Sequence, residues 1–368
     1  MHDNQLKELS GRTVLVTGGA GLIGSRITAL LRRLGARPVV LCKLDAYPSH
    51  VYRDLLSADS GNPDIVQGDI LNADLVQRAV AGADYVVHAA ALADVAACTR
   101  MPMEAISTNI TGTQVVLDAV GSHGHIRRLL FVSSASVYGD GAADVAPPDE
   151  YRSLRELLRS VYGQLPSQFA ESTPLRPKSV YANAKAWGER QTALTLSDAQ
   201  TSYAIVRYFS VYGEPQVIKQ GSHSWVVAWF AARAALGMPL HLNGGGCQIR
   251  DLVHVDDVAS ASVRALVAPG VHNTVINVGT GRPTSVRRVA ELIAERHPRT
   301  RLIQTPAPAG DPIGGYAATY RMETALGWRP SITLEEGVVR YTEWLKRTPA
   351  AIPSWLRAEG SGFEGRLR

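Results

Sequence analysis

The chain reads Thr17-Gly-Gly-Ala-Gly-Leu-Ile-Gly24 directly after the apolar stretch Arg12-Thr-Val-Leu-Val-Thr17, and continues as Leu22-Ile-Gly-Ser-Arg-Ile-Thr-Ala-Leu-Leu-Arg32 with apolar residues at helical spacing. A strand, a tight glycine turn and a helix start in that order make a cradle for a pyrophosphate, held by exposed backbone N–H groups and the positive end of the helix dipole. Glycine also serves ordinary turns. The triplet therefore gains its meaning from the rest of the chain.

Strand-like apolar runs at 39–42, 65–67, 85–89, 129–133, 204–208 and 275–278 alternate with helical segments that include 102–120, 180–196 and 225–236. That alternation predicts an α/β fold: a Rossmann-type doubly wound parallel sheet with a smaller C-terminal α/β substrate lobe, and ligands at the carboxyl ends of the strands. The dinucleotide-binding part is expected over 11–215, with an insertion at about 140–178 and a return of the chain at about 250–280. A mainly substrate-binding lobe is expected over 216–347, where segments become shorter and richer in Gly and Pro. Residues 348–368 read as a loosely held tail.

Composition agrees. Of 368 residues, 45% are hydrophobic and 19% charged, enough apolar material for a sizeable core and too much for disorder. The net charge of +5 is spread out apart from small runs such as Arg32-Arg33, Arg127-Arg128 and Arg287-Arg288. Nucleic acid is thus not an expected partner, whereas an anionic ligand is compatible. Cys42, Cys98 and Cys247 have no paired spacing and no histidines in a metal pattern, so neither a disulfide framework nor a metal site is expected. The N-terminus lacks an apolar signal core and no long uncharged apolar run occurs, which points to a cytoplasmic protein away from membranes.

Tyr181-Ala-Asn-Ala-Lys185 places a phenol and an ammonium one helical turn apart. A phenol, with a pKa of about 10, is a poor base at neutral pH, and a neighbouring cation favours its ionised form. In isolation the spacing would suit any exposed helix face. It is one of an ordered series: Gly68-Asp69-Ile70, His88-Ala-Ala-Ala91, Asn109-Ile-Thr-Gly-Thr113, Ser133-Ser-Ala-Ser-Val-Tyr-Gly139, Arg207-Tyr-Phe-Ser-Val-Tyr-Gly213, Arg250-Asp-Leu-Val-His-Val-Asp-Asp257 and Asn277-Val-Gly-Thr-Gly281.

Over about residues 11–346 this series resembles the extended short-chain dehydrogenase/reductases, the NAD-dependent epimerase/dehydratase group that acts mostly on nucleotide sugars. The resemblance implies a catalytic set of Ser134, Tyr181 and Lys185, with Tyr181 exchanging the sugar hydroxyl proton, Ser134 polarising the same oxygen and Lys185 also holding the nicotinamide ribose. It implies cofactor contacts from Gly18, Gly21, Leu22, Ile23, Gly24, Cys42, Lys43, Asp69, Ile70, Ala89, Ala90, Ala91, Asn109, Val132, Ser133 and Tyr208. Ser136, Ser210 and Arg250 are implied for the substrate. His88 and His254 read as packed, hydrogen-bonding residues rather than catalytic ones. A homodimer built on helices 102–120 and 180–196 is implied as well, with Val115, Val116 and Ala119 able to supply the face or, equally, the sheet side of a monomer.

Departures from that pattern carry the finer expectations. Cys42-Lys43 stands where NAD-preferring members end the second strand with a carboxylate, so NADP(H) is favoured over NAD(H), with Lys43 or Arg37 as the phosphate's partner and Asp45 as the rival acid. Ala135-Ser136 stands where dehydratases carry an Asp-Glu pair and decarboxylases a Glu, which leaves plain hydride chemistry. Ser210 replaces a frequent Asn, and Pro308 a second arginine. The connection between Tyr138 and Tyr181 is about twice the usual length and contains helical periodicity from Ser153 to Tyr162; connections this long in compact domains tend to be functional. The expected activity is hydride transfer at a ring carbon, C4 first, of a nucleotide sugar. Reduction of a 4-keto sugar is placed ahead of 4-epimerisation with a retained cofactor. A silent dinucleotide sensor would be expected to lack Tyr181 or Lys185, and both are present.

Overall fold

Val14 and Val16 pack toward one face of a sheet and Leu15 toward the other, all three fully buried, as expected of a strand with helices on both sides. The computed structural model describes residues 3–47, 49–56, 64–140, 152–162, 165–221, 225–307 and 313–364. Its central sheet has seven parallel strands: β1 (Thr13–Thr17), β2 (Arg37–Cys42), β3 (Asp64–Gln67), β4 (Tyr85–His88), β5 (Arg128–Ser134), β6 (Ser202–Tyr208) and β7 (Thr274–Val278). Their order is β7-β6-β5-β4-β1-β2-β3. The chain winds outward from β1 through β2 to β3, then restarts on the other side of β1 with β4. A crevice opens where the winding reverses, between the ends of β1 and β4.

Helices Leu22–Arg33 and Val255–Val267 cover one face, burying Ile27, Leu31, Val258 and Leu266 against Val14, Val87 and Val206. Ala73–Ala81 and Gly112–Ser122 cover the other, where Val76, Val80, Val116 and Leu117 meet Leu15, Leu41 and Leu129. A separate core lies among helices Val226–Ala235, Val286–Arg296 and Leu334–Arg347. Val116 and Ala119, weighed above for a dimer face, are fully buried on the sheet side.

Two local features differ from the expectations. The helix expected over 102–120 is interrupted by a wide turn at Ser107–Thr111, between Pro102–Ile106 and Gly112–Ser122. The turn directs Asn109 inward. The segment expected to be a loose tail carries the helix Ser354–Glu364, held by buried Ile352 and Leu356, by Trp355 stacked on Trp229 at 6.3 Å, and by an Arg233–Glu359 ion pair of 3.2 Å. Its apolar residues are too few to stand out as a periodic pattern, and it is the core waiting for Leu356 and Trp355 that seats them. Within the long connection, helix Arg152–Tyr162 forms as its periodicity predicts, and the strand Ser167–Phe169 pairs in parallel with Gly315–Ala317.

His254 is fully buried and caps the helix Val255–Val267 by accepting from the Asp256 amide at 3.2 Å. With Glu214 and Asp256 it forms a trio whose donor atoms lie within 4.8 Å of one another. The carboxylates are already engaged: Arg340 donates to Glu214 at 2.8 Å and to Asp256 at 2.5 Å, and Arg26 donates to Asp256 at 2.7 Å. This trio joins elements rather than presenting an open ligand set. Among the described residues no helix is long and apolar enough to cross a membrane.

Candidate active site

A cleft of about 1330 Å³ runs along the carboxyl ends of the strands, from the glycine turn to Arg250. At its floor Gly18 has φ +68°, and a Cβ there would come within 2.8 Å of the Ala90 backbone; one on Gly24 would run into the Gly18 carbonyl. Helix Leu22–Arg33 starts at Gly21 with no side-chain cap and no acid in its first turn, so its leading N–H groups remain available to an anion. The opposite rim, Ala89 to Ala91, is fastened to β1: the Ala89 amide donates to the Thr17 carbonyl and that of Ala90 to the Thr17 hydroxyl, at 3.1 and 3.2 Å. His88 lies behind, bonded to Thr17 at 2.8 Å and Thr113 at 3.0 Å, and burial lowers its pKa to about 3. It is a neutral spacer. Two close-set walls with free amides between them fit a dinucleotide's diphosphate.

Asn109 acts differently from the expectation. Its side chain accepts from the Leu92 amide at 2.8 Å and donates to the Leu92 carbonyl at 3.1 Å, so it clamps the β4 loop and has no wall of the cleft. Tyr208 borders the cleft, but its hydroxyl is bonded to Ser262 at 2.6 Å. Ile70 packs over Gly112 and also lines the cleft.

At the end of β2, Cys42, Lys43 and Asp69 line the cleft as expected, but the charges are arranged otherwise. Lys43 lies 3.1 Å from Asp45 and 3.4 Å from Asp69, and the hydrogen bond it donates to Asp45 holds its ammonium above the usual range. A 2′-phosphate would have to share Lys43 with two carboxylates. This removes the charge argument for NADP(H), because the rival acid Asp45 is within reach after all.

Tyr181 and Lys185 occupy one face of helix Val180–Thr195, whose N-terminus is capped by Ser179. Lys185 is 4% exposed; its Nζ donates to the Val132 carbonyl at 2.8 Å and lies 5.9 Å from the Tyr181 ring centre. Burial lowers its pKa to about 8. The phenol is pushed up to about 12, by burial first, opposed by a hydrogen bond from Ser134. Desolvation thus decides the phenol's position, and the lowering expected from Lys185 is not seen in this geometry. Ser134 also accepts from the Ser136 amide at 3.2 Å.

Behind these residues is a buried polar chain that spacing alone did not single out. Ser133 donates to Glu189 at 2.5 Å, and Arg207 grips Glu189 through two bonds of 2.9 and 2.6 Å. Arg207 donates further to Tyr138 at 2.8 Å, and Tyr138 to Asn277 at 2.7 Å. Toward the far end of the cleft, Ser136, Ser210 and Arg250 line the wall together. The Ser136 hydroxyl is buried without a partner among the described residues. Asp251, next to Arg250, accepts from Thr280 and from the amides of Gly281 and Ala317, fixing that strand. Pro308 lies outside the described residues. Tyr47, Lys219, Trp225, Phe230, His241 and Asn243 also line the cleft and carry no spacing signal, since they come from irregular or distant segments.

A Rossmann sheet bearing a Tyr–Lys pair beside a serine at the end of β5 defines a nicotinamide-dependent dehydrogenase type of enzyme. The chain belongs to the NAD dependent epimerase/dehydratase family, whose model matches residues 14–160 and 158–279. It is 29% identical over 360 residues to a dTDP-L-rhamnose 4-epimerase of Burkholderia thailandensis, covering 94% of this chain and 98% of that protein. Its fold is similar to that of Thermotoga maritima UDP-glucose 4-epimerase with UDP-glucose, with a TM-score of 0.78 and 28% identity over 92% of this chain and 99% of that one. A Thermus thermophilus UDP-glucose 4-epimerase in complex with NAD superposes with a TM-score of 0.73, at 28% identity over 91% and 99% of the two chains.

Proposed function

We propose that the chain is a nucleoside-diphosphate-sugar 4-epimerase that keeps its NAD through the cycle. The observation that carries this reading is the pairing of Ser134, Tyr181 and Lys185 with Ala135-Ser136. Proton transfer at a carbinol is provided for, while a carboxylate pair for eliminating water is absent from that position. Epimerisation takes precedence over the net reduction expected from Cys42-Lys43, because Lys43 is engaged by Asp45 and Asp69 and the relatives above are named as epimerases, one of them in complex with NAD.

When bound, NAD supplies hydride acceptance and return. Tyr181 takes the C4 hydroxyl proton and later gives it back, and Ser134 hydrogen-bonds the same oxygen, holding it as a carbonyl. Lys185, a buried cation, lowers the cost of the phenolate when Tyr181 loses its proton. Ser136 offers its unpaired hydroxyl to the sugar, and Arg250 the charge for the nucleotide phosphates. The small side chain of Ala135 leaves room for a ketosugar to turn over.

The test is incubation of purified protein with a panel of nucleotide 4-hydroxy and 4-keto hexoses, followed by NMR, with and without NAD or NADPH. Inversion at C4 without added cofactor is the expected result. Stoichiometric consumption of NADPH by a 4-keto sugar, with no inversion, would restore the reductase instead.

We also infer a homodimer through helices Pro102–Ile106 and Val180–Thr195, which pack side by side, with Met103, 70% exposed, and Ile106 left at the surface. Light scattering at micromolar concentration is expected to return twice the chain mass of 39.6 kDa. A single-chain mass rejects it.

A further inference from the structure

Lys219 lines the cleft and is used by none of the steps above. It follows the strand Ser210–Tyr212, and its neighbour Val217 packs onto a cluster of Ala20, Val40 and Tyr52, so the segment rests on the glycine turn itself. Its Nζ lies 4.5 Å from the centre of the Tyr47 ring. Beyond it, the Gly221 carbonyl accepts from Arg100 at 3.2 Å, at the end of the helix Val95–Arg100 that follows β4. The carboxylates nearest in effect are Asp94, past β4, and Asp45, past β2.

Sheet order turns these contacts into a position. β2 and β4 are the two neighbours of β1, so a group reached from the loops of both hangs over the end of β1, where the glycine turn and the first amides of helix Leu22–Arg33 lie. Lys219 is half-buried and has an aromatic face on one side but no ion-pair partner among the described residues. Lys43 and Lys178, by contrast, are each paired with a carboxylate. Asp94 and Asp45 act on this ammonium only from a distance, so taking it partly out of water is unfavourable unless a ligand in contact completes the compensation.

We propose that Lys219 binds the diphosphate of the dinucleotide from the side opposite the helix amides, so that the two phosphates are gripped from both faces and the cofactor is retained between turnovers. The proposal rests on the dinucleotide reading of the glycine turn and is independent of which sugar is turned over. A charge-assisted bond of this kind is worth roughly 10- to 150-fold in affinity.

Binding of NAD, ADP-ribose and adenosine would be measured by titration for wild type, Lys219→Ala and Lys219→Arg, alongside the dinucleotide each protein retains after gel filtration. Lys219→Ala is expected to weaken NAD and ADP-ribose by about 10- to 150-fold, to leave adenosine unchanged and to emerge with less retained cofactor, and Lys219→Arg to recover most of the loss. Unchanged NAD affinity in Lys219→Ala overturns the proposal, as does an equal loss for adenosine, which would mean that the segment merely shapes the pocket. Absence of sugar inversion with normal Lys219-dependent NAD binding would reject the epimerase and leave Lys219 in place. Failure of the wild-type protein to bind NAD would remove the dinucleotide reading and this assignment together.

Discussion

Tyr181→Phe is expected to lower turnover by at least about 100-fold, the usual scale of a lost general acid/base group, while NAD affinity stays close to wild type. The substitution removes one oxygen from a ring that is otherwise retained. Ser134 loses the phenol as a partner while keeping the Ser136 amide, and the C4 oxygen loses its proton acceptor, whereas the glycine turn and the β4 loop are untouched. Because burial holds the phenol near a pKa of about 12, Tyr181 carries its proton at neutral pH. It is therefore ready as the acid that returns a proton to the ketone, and as the base it depends on Lys185. Turnover within a few-fold of wild type, measured at saturating sugar, would remove Tyr181 from the mechanism.

Glu189→Ala should cost the fold roughly 3–5 kcal/mol, since it strips the counter-charge from an arginine buried behind the catalytic strand. Both side chains are 5% exposed, and Glu189 accepts the Ser133 hydroxyl as well as both arms of Arg207. The guanidinium is almost shut off from solvent. Glu189→Gln keeps the shape and part of the bonding and should cost less. Urea unfolding monitored by fluorescence gives the comparison, and a loss below about 1 kcal/mol for Glu189→Ala would show that Arg207 is solvated or re-paired.

The sheet was legible because each buried strand is an apolar run and each glycine of the first turn has a steric reason to be there. Tyr181 and Lys185 were legible because helical geometry converts a spacing of four into a shared face. The polar chain from Ser133 to Asn277 was not, although its members sit inside quoted motifs: a pairing between Glu189 and Arg207 depends on where a helix and a strand dock, which no local pattern records. Asn109 shows the same limit. The resemblance implied a cofactor contact for it, but the wide turn at Ser107–Thr111 aimed it at Leu92. Lys43 was weighed against Asp45 alone, because Asp69 approaches it only after β2 and β3 pair.

The parallel ladder between Ser167–Phe169 and Gly315–Ala317 has a bearing on how the molecule is born. At a synthesis rate of about 5–20 residues per second, the earlier strand leaves the peptidyl-transferase centre roughly 7–30 s before its partner exists. The sheet strands β1 to β6 can associate during that interval, but Phe169, Gly314 and Gly315, which together line one wall of the cleft, cannot yet meet. A nascent chain thus gains the glycine turn and its neighbouring strands well before the wall that Phe169 shares with Gly314 and Gly315, so the first part of the cleft can form while the last is still unmade.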